Sequence, residues 1–373
     1  MANLMKADLK EVIASVFEPF VFAAGREDLL AVLKTEDLPK NEKSVQFGQF
    51  KTIKLHGTNV AHLPGGGFLC LYEHVNGRYL AFSLPRLNEA DDTTVSKWGD
   101  NLGFNQKNLD QSTFMFLCHE LKGFYSIKSQ FRRKEESLNV IDVVDDYYTG
   151  HSFRDLYEFY EQVYIFEIPH DNSLYGEAIS AYGFDLCSNF SGARAANITK
   201  KMNDVLWQLG RYSSISKDSL FQCLTATQSR HSFIELYRCL ESIYYFPWIL
   251  ELRDAGSLNV PIAALKAHCR ASLNWREREE PSIMKIFGLV NPDEETKKIE
   301  KSIKIFKKHT KNKTFKRDSI GREIYQLRNS LVHHENYEKP ERVIISSREW
   351  EDISLYLSKI LLKFTSDHAH EFA

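Results

Sequence analysis

The stretch Tyr325-Gln326-Leu327-Arg328-Asn329-Ser330-Leu331-Val332-His333-His334 reads as the last two turns of an amphipathic helix. Its apolar stripe is Ile320, Ile324, Leu327 and Leu331, spaced four, three and four residues apart. At about 3.6 residues per turn the stripe is narrow. Asn329 and His333 share roughly the opposite face, with Arg328 at the stripe's shoulder. An arginine, an asparagine and a histidine are thus expected close together on a side of the helix that a bundle core does not need. A permanently charged guanidinium beside an imidazole that titrates near neutrality suits the cleavage of a phosphodiester.

Outward from this helix the chain reads as mostly helical. Upstream, Phe233, Leu236, Tyr237, Leu240, Ile243 and Tyr244 form one stripe running to Pro247, and Ile262, Leu265, His268 and Leu273 form a second. Asn291-Pro292-Asp293-Glu294 reads as a helix start, with Asn291 as the cap. A helix is expected from about Ser319 to His334. Ser346-Ser347-Arg348-Glu349 is a capping box opening a last helix, with Trp350, Ile353, Leu357, Ile360, Leu361 and Phe364 inward. Short connections between such elements predict a bundle.

Before it the pattern changes. Phe47 to Leu55, Phe68 to Tyr72, Arg78 to Leu84 and Gln162 to Ile168 read as strands, punctuated by Pro64-Gly65-Gly66-Gly67 and Asn76-Gly77. Phe153 to Tyr160 and Ala195 to Leu209 read as helices, the second stopped by Gly210. The polar, Ser-rich segment from Gly210 to Asp218 marks the boundary. The class is therefore α+β: an N-terminal mixed α/β domain over residues 1–212, then an all-α bundle over 213–373.

The helix bearing Arg328-Asn329-x-x-x-His333 resembles the R-N-x-x-x-H form of the motif of HEPN-domain ribonucleases. Phe233-Ile234-Glu235-Leu236-Tyr237-Arg238-Cys239-Leu240-Glu241 is similar to the first helix of the Apea-like group of that family. The order also fits: first helix, further helices, the motif helix, one closing helix. The resemblance says nothing about the N-terminal part. It implies metal-independent RNA cleavage to a 2′,3′-cyclic phosphate, and a homodimer through the C-terminal bundle with both motifs in one cleft. It also implies a toxin-like effector of antiphage defence acting by abortive infection, with the N-terminal domain answering a phage-derived or cellular trigger. On this reading His333 is general base or acid and Arg328 neutralises the transition state. Asn329 holds the phosphate or fixes the histidine tautomer, and His334 offers the alternative register. Glu241 either orients Arg328 through a bidentate pair or is a solvated helix charge. The same bundle also occurs as a non-catalytic dimerisation or ligand-binding adaptor, which stays open.

Composition bounds the rest. With 48 basic and 50 acidic residues, the formal net charge of −2 gives no global nucleic-acid signature, so any such signal is local. It is found from Lys297 to Arg317, a run of lysines opposed only by Glu300. Lys304, Lys307, Lys308 and Lys311 would track an RNA backbone, the alternative being a solvated helix face. Six cysteines without a C-x-x-C pair point to reduced thiols in a cytoplasmic protein. No signal peptide and no membrane span are expected, and no cofactor or metal is required. The glycines after Pro64 lack the lysine and serine or threonine of a phosphate loop and read as a hairpin turn. Asp110, Glu120 and Lys122 follow the spacing of a metal-dependent nuclease, a second alternative. The Asp142, Asp145, Asp146 cluster reads as a solvated turn, and His119, His151 and His170 lack metal-ligand spacing.

Overall fold

A computed structural model describes residues 9–27, 50, 52–74, 77–84, 92–141, 156–169, 179–273, 278–310, 316–332 and 345–371. The protein is α+β: one antiparallel sheet in the N-terminal half and helices elsewhere. It divides into two compact units, Met1–Gly183 and Phe184–Ala373. The division falls earlier than residue 212, because the helix Lys200–Leu209 packs on the last helix of the chain and belongs with the helical unit. The polar segment after it is a turn within that unit, where Ser242 Oγ donates to the Ser214 carbonyl at 2.9 Å.

In the first unit the strands are β1 (Lys54–Leu63), β2 (Gly67–His74), β3 (Gly77–Ser83), β4 (Asn105–Lys107) and β5 (Tyr164–Ile168), in the order β1-β2-β3-β5-β4. Gly65 and Gly66, with φ of 91° and 92°, turn β1 into β2, a backbone that side chains rarely tolerate. Alternation along the strands gives the sheet two faces. Phe68, Cys70 and Tyr72 join the core built with helices α1 (Leu9–Ala24) and α3 (Gln111–Glu120). Phe82 and Phe166 instead meet Trp98 of α2 (Asp92–Asn101), edge-on at 5.6 and 5.7 Å. Helix α4 (Lys134–Ile141) packs on α1. Among the described residues the strand expected from Phe47 is seen from Lys54 onward; Phe50 and Ile53 are buried outside it, with the Ile53 N–H donating to the Phe50 carbonyl at 3.1 Å.

The helical unit takes in the end of α5 (Ile179–Asn189) and runs through α6 (Lys200–Leu209), α7 (Lys217–Thr225), α8 (Ser229–Glu241), α9 (Phe246–Ala255), α10 (Ile262–Leu273), α11 (Glu279–Leu289), α12 (Glu294–Ser302), α13 (Asp318–Val332) and α14 (Ser347–Asp367). The six residues expected inward on α14 are all buried. Helices α8 and α14 run side by side in the same direction. Ser229 meets Ser347 at 3.3 Å and Phe233 meets Trp350 at 5.2 Å, and beyond the end of α8 Phe246 meets Phe364 at 5.3 Å.

Other boundaries differ from expectation for local reasons. The stripe from Phe233 does not continue as one helix to Pro247: α8 stops at Glu241, and Pro247 sits in the first turn of α9, where its missing N–H costs nothing. Asp293, not Asn291, caps α12, accepting from the Thr296 N–H at 2.7 Å. On α10 only Ile262 and Cys269 are buried; His268 and Leu273 face solvent.

Helices α11 and α13 are antiparallel. Arg317 donates to the Val290 carbonyl at 3.1 Å beyond one end of the pair, and Arg328 faces Glu279 at the other. Between them Gly321 lets the backbones touch: a Cβ there would lie 3.1 Å from the Ile283 carbonyl oxygen and 3.1 Å from Met284 Cα. This crossing sets where Arg328 sits.

Candidate functional site

Arg328 occupies the last turns of α13, its side chain only 20% exposed. One terminal nitrogen donates to Glu241 Oε1 at the end of α8, at 3.2 Å. The other donates to Asn329 Oδ1 at 3.0 Å and lies 3.8 Å from Glu279 Oε2 at the start of α11. The guanidinium carbon stands 5.4 Å from the centroid of the Tyr237 ring, within cation–π reach. The cation is thus fixed by three helices. Of its five N–H groups, Nε–H has no acceptor among the described residues.

Glu241 meets Arg328 through one guanidinium nitrogen and one carboxylate oxygen, not as the bidentate pair expected. Burial raises its carboxyl above the usual range, Arg328 opposes that shift and Glu279 adds to it. Asn329 does something the motif alone did not suggest. Its carbonyl oxygen accepts from Arg328, which leaves the amide N–H groups as donors. Tyr237 and Tyr244 meet edge-on at 6.3 Å. Burial pushes both phenols up. His333 and His334 lie outside the described residues.

The stripe that placed this site holds only in its first half. Ile320 and Ile324 are fully buried, whereas Leu327 and Leu331 are half-buried and Val332 is 47% exposed. Helix α11 starts opposite Arg328, so the last turn of α13 extends past the start of the helix it packs on.

Sequence reasoning missed Glu279 and Tyr237. Glu279 reads as an ordinary acidic residue in a first turn, and Tyr237 as core. Only the antiparallel crossing brings them to Arg328.

The basic run splits into two parts. Arg317 is tied into the fold: its Nε donates to the buried Glu300 at 3.0 Å, and Glu300 also accepts from the Tyr356 hydroxyl at 2.7 Å. This joins α12, the approach to α13, and α14. Lys297 pairs with Glu294 at 2.7 Å. Lys304 and Lys307 are exposed, and the Lys304 backbone N–H donates to Glu349 at 3.0 Å. Lys308 lies in a short helical turn, Lys307–Thr310, and Lys311 lies outside the described residues.

The metal-nuclease spacing dissolves. Asp110 caps α3 by accepting from Thr113 N at 3.0 Å and Thr113 Oγ1 at 2.8 Å. Glu120 ends the same helix, roughly 15 Å away at 1.5 Å per residue. It pairs with His119 at 2.9 Å, and Lys122 pairs with Glu18 at 2.8 Å. Among the described residues no three His, Cys, Asp or Glu are grouped to hold a metal ion. His151, His170, Asp142, Asp145 and Asp146 lie outside them. Among the described residues no helix is long and apolar enough to cross a membrane.

Comparison with protein-family models, with curated proteins and with solved structures finds no significant match.

Proposed function

We propose that the helical unit is a metal-independent endoribonuclease of the HEPN kind. The observation that carries this reading is the guanidinium of Arg328, held part-buried by Glu241 and Asn329 with Nε–H unspent. A surface arginine pairing for solubility has no need of such an orienting set. An arginine that must meet a phosphorane-like charge at a fixed place does.

In the reaction, an imidazole takes the proton of a ribose 2′-OH. The 2′-oxygen attacks phosphorus, and the bond to the 5′-oxygen breaks as that oxygen receives a proton. The products are a 2′,3′-cyclic phosphate and a 5′-hydroxyl. His333 supplies the imidazole, with His334 as the alternative register. Arg328 and the Asn329 amide bind the non-bridging oxygens. Lys304, Lys307, Lys308 and Lys311 hold the RNA backbone. A homodimer through the bundle supplies a second set, and the half-buried Leu327 and Leu331 beside exposed Val332 give it an apolar edge. In a cytoplasmic antiphage effector, the N-terminal unit would sense a phage-derived or cellular trigger.

The test is incubation of total RNA with wild type and His333→Ala, with and without EDTA. Cleavage that survives EDTA and is lost in the variant supports the reading. Cleavage that vanishes in EDTA and returns with magnesium overturns it.

A second reading, a non-catalytic adaptor, is favoured by one feature: two carboxylates, Glu241 and Glu279, face a single guanidinium, as in a structural ion pair. It predicts no RNA cleavage in wild type and a marked loss of stability in Arg328→Ala.

A further inference from the structure

A cavity of about 410 Å³ opens in the helical unit between the end of α6, the start of α12 and the second half of α14. It shares no lining residue with the Arg328 site. Its wall carries three cations, Arg211, Lys359 and Lys363, and one carboxylate, Asp293. That carboxylate is already engaged. It caps α12 through the Thr296 N–H, and these hydrogen bonds, with Lys359 and Lys201 nearby, hold its carboxyl below the usual range.

Lys359 and Lys363 are four residues apart and share one face of α14. The Lys359 side chain is 12% exposed, and its ammonium shares the Glu295 carboxylate with Lys201. Lys363 is held by Asp367. Glu295 and Asp367 thus fix the two ammoniums on the wall. Arg211 is different: it is exposed, and its guanidinium has no ion pair or hydrogen bond among the described residues. Val205 and Leu362 add an apolar patch.

We propose that this cavity binds a small organic phosphate, its phosphoryl group held by Arg211, Lys359 and Lys363 and its organic part set against Val205 and Leu362. The guanidinium fork matches two phosphate oxygens, and a third oxygen remains for the ammoniums. A phosphoryl group, with three terminal oxygens and close to two negative charges at neutral pH, matches three cations better than the single charge of a carboxylate. The volume lies within the range of about 300–1,000 Å³ usual for small-molecule sites and exceeds what inorganic phosphate fills.

The experiment is calorimetric titration of the full chain at low salt with ribose 5-phosphate and, separately, with pyrophosphate. Wild type should bind ribose 5-phosphate saturably, one-to-one. Arg211→Gln and Lys363→Gln should each weaken it at least tenfold with unchanged melting of the free protein, since both side chains lie at the surface. No saturable binding at millimolar ribose 5-phosphate overturns the proposal. So does equal affinity in wild type and both variants, which marks a general ionic effect. Binding of pyrophosphate alone overturns the assignment to an organic phosphate.

Discussion

The guanidinium of Arg328 lies 3.2 Å from the carboxylate of Glu241, a residue 87 positions earlier in the chain. This pair links the end of α8 to the end of α13. Its two members are unequal in what they gain. A guanidinium keeps its charge throughout the accessible pH range. Glu241 is paired, yet burial still raises its carboxyl above the ordinary range, with Glu279 adding to the rise.

That inequality gives a pH-dependent prediction. A raised carboxyl pKa means that the folded state holds the proton more tightly than the unfolded chain. The stabilisation is fully present below the unfolded carboxylate pKa and is lost as pH rises through the folded value. At neutral pH the ionised Glu241 therefore costs stability. Glu241→Gln keeps an acceptor for Arg328 and removes that cost. It should melt higher than wild type at pH 7.5, and the difference should shrink toward pH 4. RNA cleavage should fall, because the charged partner that holds the guanidinium in place is lost. A variant that melts lower at pH 7.5 and cleaves as wild type does would make the pair a structural tie.

Gly321→Ala tests the crossing that carries Arg328. In a solvent-exposed helix the change would gain about 1 kcal/mol from propensity. Here the new methyl meets the Ile283 carbonyl and Met284 Cα, both backbone, which cannot rotate away. Overpacking of this kind costs about 1–3 kcal/mol. The net expectation is a loss of roughly 1 kcal/mol in urea unfolding and reduced cleavage, because α13 is pushed off α11. An increase in stability would show that the helices separate without strain.

How far the sequence disclosed this depends on which force shaped each segment. The six apolar residues read as inward on α14 are all buried, because a helix buried along its whole length repeats its apolar residues at the helical period; Tyr356, equally buried, was missed. The stripe of α13 was legible to Ile324 and misleading at Leu327 and Leu331, since the helix outruns the start of α11. Phe50 and Ile53 looked like strand because burial and β-pairing select the same residue types. Arg317 looked like part of a lysine track, because nothing local separates a cation that meets water from one that meets Glu300. Glu279 and Tyr237 were invisible as site residues: their place beside Arg328 comes from an antiparallel crossing, not from spacing along one helix.

The basic run should therefore divide experimentally. Arg317→Gln leaves the Glu300 carboxylate, 3% exposed, with one partner fewer. Breaking a buried pair in this way costs about 3–5 kcal/mol, so its signature is lost stability. Replacing Lys304, Lys307, Lys308 and Lys311 by Gln should leave unfolding nearly unchanged, within about 0.5 kcal/mol per surface site. It should instead weaken RNA binding and flatten its dependence on salt, by about 0.7 in the logarithmic slope per lost phosphate contact on a single strand. Filter binding from 50 to 300 mM salt measures the slope. An unchanged slope would place the RNA path elsewhere and make these lysines a solvated face.

The last prediction concerns the second imidazole. Cleavage of a phosphodiester works best with a base on one side and an acid on the other. In the proposed homodimer two-fold symmetry would double the Arg328-Asn329-His333 set without new residues, because an isologous interface places one patch opposite itself. The half-buried Leu327 and Leu331 and the exposed Val332 adjoin Arg328 in sequence, so a partner covering them would sit close to the guanidinium. Mixing Arg328→Ala protein with His333→Ala protein exploits this. Each homodimer lacks one residue type twice, whereas a mixed dimer keeps one copy of each. If one guanidinium and one imidazole suffice across the interface, the mixture should regain cleavage that neither variant has alone. If all four groups are required, excess His333→Ala should suppress wild type in proportion to the mixed dimers formed. Val332→Asp, at the exposed edge, should raise the dimer dissociation constant and lower cleavage together, with the lost activity returning at high protein concentration. Sedimentation as a monomer at a concentration where RNA is cleaved at full rate would exclude the shared site.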